Sequence, residues 1–285
     1  MKIKQAQRNV LIAYLDVDNR SKFEQWLLLT GDRHHDNPLC DRKLEKQHLE
    51  LAKERNALII DCGDLFCAMQ GKYDPRSSMD DIRQEDVGED YLDRIVKNAA
   101  NFYGPYTKNI LMLGHGNHET NVRHRHGVDL TSNLVHRLNT EYGGSVRCGH
   151  YAGYVMFRFS GNKTETKVLK YHHGAGGGGP VTKGVISTNR QAVYLPDAHI
   201  VLNGHTHDEW VLPLARERVS QRGKTSRDLI WFCRTAGYKD DFNDGASGYH
   251  VENWRPPKPL GAIWVRFYYR NNNIEIEAIQ DLKQG

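Results

Sequence analysis

Cysteine is scarce in this sequence, and long apolar runs are missing. The 285 residues include five cysteines, and no two of them form a CxxC pair, which argues against a disulfide framework. No stretch approaches the roughly 18–20 apolar residues that a membrane-spanning helix needs. The apolar run 10–15 is too short for the core of a signal peptide. We therefore expect reduced thiols, a cytoplasmic location and no membrane partner.

The charge balance is only mildly basic. Lys and Arg number 39 against 35 Asp and Glu, a formal net charge of +4. This excess fits a polyanionic substrate but does not demand one, and on charge alone an ordinary solvated surface is the favoured interpretation. The chain is long enough to bury a sizeable core, and we expect a single domain over 1–285. The 15 histidines stand out, because imidazole is the commonest protein ligand of transition metals.

Five apolar runs that we predict to be buried strands each end in polar side chains. In chain order these are Asp32 and His34; Asp64; Asn117, His118 and Glu119; His172 and His173; and His205 and His207. Polar groups at the end of a buried strand are costly unless they are satisfied, and strand ends in α/β sheets are where ligands bind. The side chains offer oxygen and nitrogen but no thiolate. One carboxylate bridging two ions, with histidines around it, is how proteins build two-metal centres about 3.5–4 Å wide.

The remaining patterns alternate helix and strand early in the chain and favour strands late. Helical spacing predicts helices over 41–56, 84–103 and 129–138 and a short one over 191–195. Predicted strands cover 9–17, 24–30, 57–64, 109–113, 151–159, 167–171, 198–202, 210–219, 228–235 and 260–270, the last in a hairpin with 274–279. The basic stretch 121–126 is interpreted as a loop, and 236–259 as a long irregular segment rich in aromatic residues.

Over about residues 24–210 the chain resembles the calcineurin-like metallophosphoesterase superfamily. The matching motifs are Asp32-x-His34, Gly63-Asp64, Gly116-Asn117-His118-Glu119, His172 and Gly204-His205-Thr206-His207. The resemblance implies an α/β fold of the α+β kind, a four-layer αββα sandwich of two mixed β-sheets flanked by helices.

The resemblance also implies two divalent metal ions as cofactors. Manganese is the favoured metal, and iron, zinc or nickel also suit such ligands. The implied ligands are Asp32, His34, Asp64 and His207 for one ion, and Asp64, Asn117, His172 and His205 for the other.

The catalytic imidazole implied by the resemblance is His118. Glu119 would orient it, and His34 would lie at the catalytic centre beside it. Of the two neighbouring histidines, His172 is preferred as the ligand because the family ligand tends to end its strand directly. His173 would then face the substrate.

The sequence departs from the family pattern in two places. The second motif is usually Gly-Asp-x-x-Asp, and Cys67 stands at its last position. That carboxylate is usually a supporting group, so its replacement implies a changed surround rather than loss of metal. The chain also lacks the Gly-Asp-x-Val-Asp-Arg-Gly signature of protein Ser/Thr phosphatases, which disfavours that class.

These motifs favour hydrolysis of a phosphoester, with the ions lowering the pKa of water and His118 protonating the leaving oxygen. The favoured substrate is a phosphodiester in DNA or RNA. Gly63-Asp64-Leu65-Phe66 resembles SbcD-type repair nucleases, but no C-terminal helical region for partner binding is evident. A stand-alone, phage-type nuclease or related phosphodiesterase fits better.

Two further features favour a nucleic-acid partner. Arg123 and Arg125 of the basic stretch can grip phosphate, and the aromatic segment 238–254 can line a nucleic-acid groove. One alternative is a phosphomonoesterase acting on a small phosphate ester or a phosphoprotein. A less favoured alternative is a non-catalytic, metal-bound binding module, since the ligand set is intact. The sequence leaves the oligomeric state open.

Overall fold

Two mixed β-sheets form the centre of the protein. The structure is a computed structural model that describes residues 2–69, 78–161, 164–177, 182, 184–246 and 249–283. The strands of these residues are β1 (Lys2–Gln7), β2 (Val10–Asp16), β3 (Glu24–Thr30), β4 (Leu58–Asp61), β5 (Ile110–Leu113), β6 (Arg147–Cys148), β7 (Ala152–Ser160), β8 (Glu165–His172), β9 (Ile200–Asn203), β10 (Trp210–Val219), β11 (Thr225–Arg234), β12 (Gly261–Arg270) and β13 (Asn273–Leu282). The helices are α1 (Arg42–Glu54), α2 (Tyr91–Tyr103), α3 (Asn117–His126), α4 (Leu130–Glu141), α5 (Val185–Tyr194) and α6 (Tyr249–Glu252).

The strand order brings several carboxyl ends to one edge of each sheet. The seven-stranded sheet has the order β1-β2-β7-β8-β9-β11-β10, and the six-stranded sheet the order β13-β12-β3-β4-β5-β6. Strands β3, β4, β5 and β6 run parallel. In the other sheet β8, β9 and β11 run parallel. Residues that follow these strands therefore gather at the same edge of each sheet.

Side-chain alternation along the strands separates three apolar layers. Leu27 and Leu29 of β3 face the space between the sheets, where they meet Val155 and Leu169 of the other sheet. Leu28, between them, points to the opposite face, because successive strand residues alternate. There it packs with the apolar sides of α1, α2 and α4. A third cluster packs the outer face of the seven-stranded sheet against α5. The predicted four-layer αββα architecture is confirmed.

Strongly patterned segments fold as predicted. Strands β3 and β10 have the predicted bounds, and α1 lies within the predicted 41–56. The predicted C-terminal hairpin forms from β12 and β13, and its turn residues Asn271 and Asn272 both have positive φ, as two-residue hairpin turns require. All five cysteines are free thiols. Within the described residues, no helix is both long and apolar enough to span a membrane.

The interpretation of 121–126 as a loop is wrong, because these residues belong to α3. The helix buries only Glu119 and Val122, so it has almost no apolar stripe for a periodicity argument to detect. Contacts and backbone geometry at its first and last residues define the helix instead. The Gly116 amide donates to Glu119 Oε2 over 2.8 Å at the start, and Gly127 ends the helix with φ of 69°.

Three other bounds differ from prediction. Helix α2 begins at Tyr91 rather than 84, since residues 84–86 form a 3₁₀ turn and Gly88 has φ of 156°. Helix α5 begins at Val185, well before the predicted 191–195. Strand β1 has no apolar alternation and is held by antiparallel pairing with β2, so hydrophobic pattern could not reveal it.

A buried ion network joins β3, β4 and α1. Arg33 is only 1% exposed, and its Nε donates to Asp61 Oδ2 over 2.6 Å while its Nη1 donates to Glu45 Oε1 over 2.8 Å. His35 Nδ1 lies 2.9 Å from the second oxygen of Glu45. Burial alone would raise the pKa of Glu45, but His35 and Arg33 outweigh it and lower that pKa to about 2. Glu45 is therefore a carboxylate at neutral pH and forms a buried ion pair with Arg33.

We expect Arg33→Ala to lower the free energy of unfolding by about 3–5 kcal/mol, because it leaves two buried carboxylates without their cation. Urea denaturation at pH 7 in the presence of EDTA measures this loss. Arg222, exposed in the turn between β10 and β11, provides the control, and Arg222→Ala should change stability by no more than about 0.5 kcal/mol. Equal midpoints for the two variants would contradict a stabilising network.

Candidate metal centre

The polar groups predicted at five strand ends meet between the two sheets. Asp32 and His34 follow β3, Asp64 follows β4 and Asn117 follows β5, all from the six-stranded sheet. The facing side chains from the seven-stranded sheet follow β8 and β9. Three of these side chains are nearly inaccessible: Asp32 and His173 are fully buried and Asp64 is 2% exposed. Each sheet thus contributes about half of one buried polar cluster.

Left-handed backbone marks the cluster. The φ values are 49° at Asp32, 46° at His34, 54° at Asp64, 75° at His205 and 53° at His207. Residues with a Cβ seldom adopt this conformation, and when they do the surrounding structure usually forces it at a functional site. Here the forcing contacts are backbone hydrogen bonds: the Asp32 amide donates to the Gly63 carbonyl and the His34 amide to the Asp64 carbonyl, over 2.9 and 3.0 Å.

The first group of donor atoms comes from Asp32, His34 and His207. The two imidazoles face each other with their Nε2 atoms 3.3 Å apart, and His207 Nε2 is 3.6 Å from Asp32 Oδ1. One donor atom from each residue lies within 4.8 Å of the others. Burial lowers the pKa of His34 well below its usual value and that of His207 to about 4. Both rings are therefore neutral, with nitrogen lone pairs available to a cation.

The second group comes from Asp64, Asn117, His173 and His205. His173 Nε2 lies 3.1 Å from Asp64 Oδ2 and 3.1 Å from Asn117 Oδ1. His205 Nδ1 lies 2.8 Å from the same Asn117 oxygen. The two groups adjoin, since His173 Nε2 is 4.0 Å from Asp32 Oδ1. Seven donor side chains therefore surround one elongated space.

His172 does not join this cluster, contrary to the preference from the sequence. It is the last residue of β8, and its ring Nδ1 accepts a hydrogen bond from the Gly174 amide over 2.9 Å. His173, one residue later, points to the other side and into the cluster, because adjacent residues of an extended chain face opposite ways. His173 therefore lies inside the cluster, and His172 lies outside it.

The Asp32 carboxyl group is only half satisfied within the cluster. Asp32 Oδ2 accepts from the His205 amide over 2.7 Å, but the buried Oδ1 has no hydrogen-bond partner among the described residues. Burial, opposed by His173 and reinforced by Asp64, raises the pKa of Asp32 to about 8, so without a cation nearby this group is largely protonated at neutral pH. A buried carboxylate oxygen without a partner is costly. Carboxylate, amide and imidazole donors converging on it fit a divalent transition-metal ion.

His118 lies at the rim of the cluster and is held by the backbone. Its Nδ1–H donates to the Cys67 carbonyl over 2.6 Å, and its own amide donates to Asp64 Oδ1 over 2.9 Å. Nε2 lies on the cluster side, 3.9 Å from Asp64 Oδ2. The ring of His34 is 4.8 Å away, edge to face. These contacts fix both the tautomer and the direction of the His118 imidazole.

Asp36 explains how Cys67 is accommodated. Its two carboxylate oxygens accept from the amides of Cys67 and Ala68, over 2.5 and 2.7 Å. The Cys67 thiol is buried, which raises its pKa, so it stays protonated. Its sulfur accepts from the Asn37 side-chain amide over 3.3 Å and lies within 4.8 Å of ring nitrogens of His34 and His118. Residue 67 therefore contacts the His118 ring through its backbone carbonyl.

Glu119 braces the cluster and does not face it. The side chain is fully buried, and its oxygens accept from the amides of Asp64, Phe66 and Gly116 over 3.1, 2.8 and 2.8 Å. It thus ties the start of α3 to the loop that carries Asp64. Gly116 has no room for a side chain, because a Cβ there would lie 2.0 Å from Asp64 Oδ1.

The two arginines named from the sequence lie away from the cluster. Arg123 and Arg125 are exposed on α3, roughly 9 and 12 Å along the helix axis from Asn117 at a rise of about 1.5 Å per residue. Sequence reasoning missed a third arginine, Arg234 at the end of β11, which contacts Thr206 of the fifth motif. The sequence feature that could have pointed to it is a charged residue near the end of the predicted strand 228–235.

Comparisons with known proteins give only distant likenesses. No family profile and no curated protein sequence matches the chain. Among solved structures, Vacuolar Protein Sorting 29 from Cryptosporidium parvum is 14% identical over 92% of this chain and 100% of its own, with a TM-score of 0.39. Wild-type Vps29 complexed with Zn²⁺ from Entamoeba histolytica is 10% identical over 90% and 98% of the two chains, with a TM-score of 0.36. A predicted phosphoesterase from Streptococcus pneumoniae is 10% identical over 90% of each chain, with a TM-score of 0.34. Such distances do not transfer an activity.

Glu119→Ala should lower the free energy of unfolding by about 3 kcal/mol or more, because three buried amides lose their acceptor at about 1–3 kcal/mol each. Glu119→Gln should lower the free energy of unfolding by less than Glu119→Ala does. The side-chain carbonyl oxygen of glutamine can replace Oε2, but its NH2 group cannot accept a hydrogen bond from the Phe66 amide. Urea denaturation with EDTA measures both. Glu141, exposed on α4, is the matched control as Glu141→Ala. A Glu119→Ala midpoint equal to that control would refute the bracing role.

Proposed function

We propose that the protein is a phosphoester hydrolase that uses two divalent metal ions. The observation that carries the proposal is one buried cluster of seven oxygen- and nitrogen-bearing side chains, in which Asp32 Oδ1 has no hydrogen-bond partner among the described residues. The residues that would hold one ion are Asp32, His34, Asp64 and His207. Those for the other are Asp64, Asn117, His173 and His205. Asp64 would be shared, which supports two adjacent ions rather than one.

When bound, such a pair of ions neutralises charge on a phosphoryl group and lowers the pKa of water toward about 7. Manganese is our first choice of metal, and iron, zinc and nickel accept the same donors. The absence of thiolates from the donor set favours these metals over soft ones such as Cu(I).

The chain itself supplies proton transfer through His118. Because Nδ1–H is committed to the Cys67 carbonyl, Nε2 is the nitrogen that can carry a proton to and from the cluster side. A protonated Nε2 would hydrogen-bond the leaving oxygen of the ester and protonate it as the bond breaks. His34 and Asp64, which lie against this ring, keep it directed at the site.

Within this class we favour a phosphodiester of nucleic acid as the substrate. Helix α3 begins in the cluster and carries the exposed Arg123 and Arg125 away from it, a placement suited to phosphates that flank the reacting one. Trp254, in the segment expected to line a groove, is 97% exposed and can stack on a base. Tyr238 cannot do so, because it is buried and lies 2.9 Å from His48 Nδ1.

A panel of substrates tests the proposal. The Mn²⁺-loaded protein is assayed on bis(p-nitrophenyl) phosphate, p-nitrophenyl phosphate, and single- and double-stranded DNA and RNA, with Asn117→Ala as the control. We expect hydrolysis of the diester and of nucleic acid that is lost in the control. Turnover confined to the monoester would replace the diesterase assignment with a phosphomonoesterase. Bound metal without turnover on any substrate would indicate a non-catalytic binding module.

The two neighbouring histidines should differ in metal binding. We expect His173→Ala to lose about one equivalent of Mn²⁺, because it removes a ligand of one ion, while His172→Ala keeps the wild-type content. Calorimetric titration of the chelator-treated proteins with Mn²⁺ gives both stoichiometries. Loss of metal in His172→Ala but not in His173→Ala would return the ligand role to the strand-end residue.

His118→Ala should keep the wild-type metal content and lose turnover by about 10²–10⁴-fold, the usual contribution of a positioned general acid. The rate on the best substrate of the panel and the metal content by elemental analysis are measured on one preparation. His124, exposed on the same helix, gives a control in His124→Ala. Unchanged turnover in His118→Ala would remove this residue from catalysis.

A further inference from the structure

Arg234 closes a strand that ends beside the metal centre. Strand β11 runs parallel to β9, and Arg234 is in register with Asn203. The chain leaves β9 at Asn203 and passes through Gly204 directly to His205. Arg234 is therefore a sixth strand-end polar residue at the edge where the other five groups meet. Of the three mutually parallel strands β8, β9 and β11, it comes from the one that carries no motif.

The guanidinium group is held in a narrow slot. Nη1 donates to Thr206 Oγ1 over 2.8 Å, which places the group next to the residue between His205 and His207. A Cβ on Gly184 would lie 3.1 Å from Cζ and from both Nη atoms, so one flat face of the guanidinium rests on this glycine. The ring centroid of Trp210 is 5.3 Å from Cζ. A side chain at 184 would press on the guanidinium, and the φ of 81° at Gly184 would strain any residue other than glycine.

This buried cation lacks a counter-ion. Arg234 is 6% exposed, and none of the described carboxylates lies within ion-pair distance of it. Its Nε is buried without a hydrogen-bond partner among the same residues. Asp208, whose charge favours the ionised guanidinium, is already paired with Lys258. A buried charge left unpaired is strongly unfavourable unless an opposite charge reaches it.

We propose that Arg234 binds an oxyanion of the substrate, the phosphate group that the metal centre is proposed to act on. Neither Nε nor Nη2 donates a hydrogen bond to a described residue, and this edge of a guanidinium matches two oxygens of a phosphate. Thr206 holds Nη1 and so fixes the orientation of that edge. The inference rests on the proposed function for the identity of the anion, while the anion site itself is defined by the unpaired guanidinium.

Inorganic phosphate is the probe that tests the site without turnover. Its affinity for the Mn²⁺-loaded protein is measured by calorimetry for the wild type, Arg234→Gln, Arg234→Lys and Arg222→Gln. Arg222 is exposed in the turn of the same hairpin. The substitution Arg222→Gln therefore removes the same charge without changing the surroundings of Arg234. Metal content and unfolding midpoint are recorded for each variant, so that a misfolded protein is recognised.

We expect Arg234→Gln to weaken phosphate binding by about 10- to 100-fold, as loss of a charged hydrogen-bond pair does. Arg234→Lys should recover part of this affinity, since it restores the charge but not the two-pronged contact. Arg222→Gln should bind as the wild type. Where a phosphoester is turned over, KM should rise in Arg234→Gln with the metal content unchanged.

Two outcomes separate this inference from the proposed function. Phosphate binding that depends on Arg234 in a protein that hydrolyses no ester would keep the anion site and reject the hydrolase. Hydrolysis of the ester with phosphate affinity and KM unchanged in Arg234→Gln would keep the hydrolase and reject the anion site. Absence of phosphate binding by the wild type would also reject the anion site.

Discussion

The buried ion network of Arg33 is the constraint on which the metal centre depends. Arg33 lies between Asp32 and His34, and its guanidinium is tied to Asp61 and Glu45 behind the end of β3. With the middle residue anchored on that side, its two neighbours must turn to the other, where the cluster lies. The left-handed backbone at both neighbours is the geometric result. An ion network that touches no ligand atom thus aims the first two donors.

The carboxylates around the centre divide into those that face it and those that hold it. Asp32 and Asp64 present oxygens to the cluster. The oxygens of Asp36 and Glu119 instead accept hydrogen bonds from backbone amides of the loops that carry other site residues. The second kind fixes loops that have no regular secondary structure. The backbone amides of a buried loop lack the regular carbonyl acceptors of a helix or sheet, so a buried carboxylate accepts their hydrogen bonds instead. The precision of the donors follows from these acceptors.

Sequence alone predicted the layers of the fold and most of the cluster, because both depend on local signals. An apolar run marks a buried strand, and a polar residue after it marks a strand end, so Asp32, Asp64 and Asn117 could be placed without a structure. The choice between His172 and His173 could not, because it depends on the residue at which β8 stops and on which way the chain then turns. One residue reverses the direction of the side chain.

Arg234 and Asp36 escaped prediction for a different reason. Their roles depend on which strands and loops become neighbours, such as β11 beside β9, and pairing between distant segments leaves no periodic trace in the chain. Helix α3 was misread because its stability comes from its ends and from packing at one residue, Val122, rather than from an apolar stripe. Tertiary context decided each of these cases.

At the candidate ligand residues the left-handed backbone lowers stability, while their side chains are the ones proposed to bind metal. Glycine would adopt these φ values without the steric penalty that a side chain carries, and asparagine would adopt them more readily than histidine or aspartate at most such sites. Substitution by glycine or asparagine at His34, His205 or His207 would therefore relieve steric strain. The same substitution would remove a candidate metal ligand. Imidazoles in such backbone therefore carry a steric cost that glycine would not.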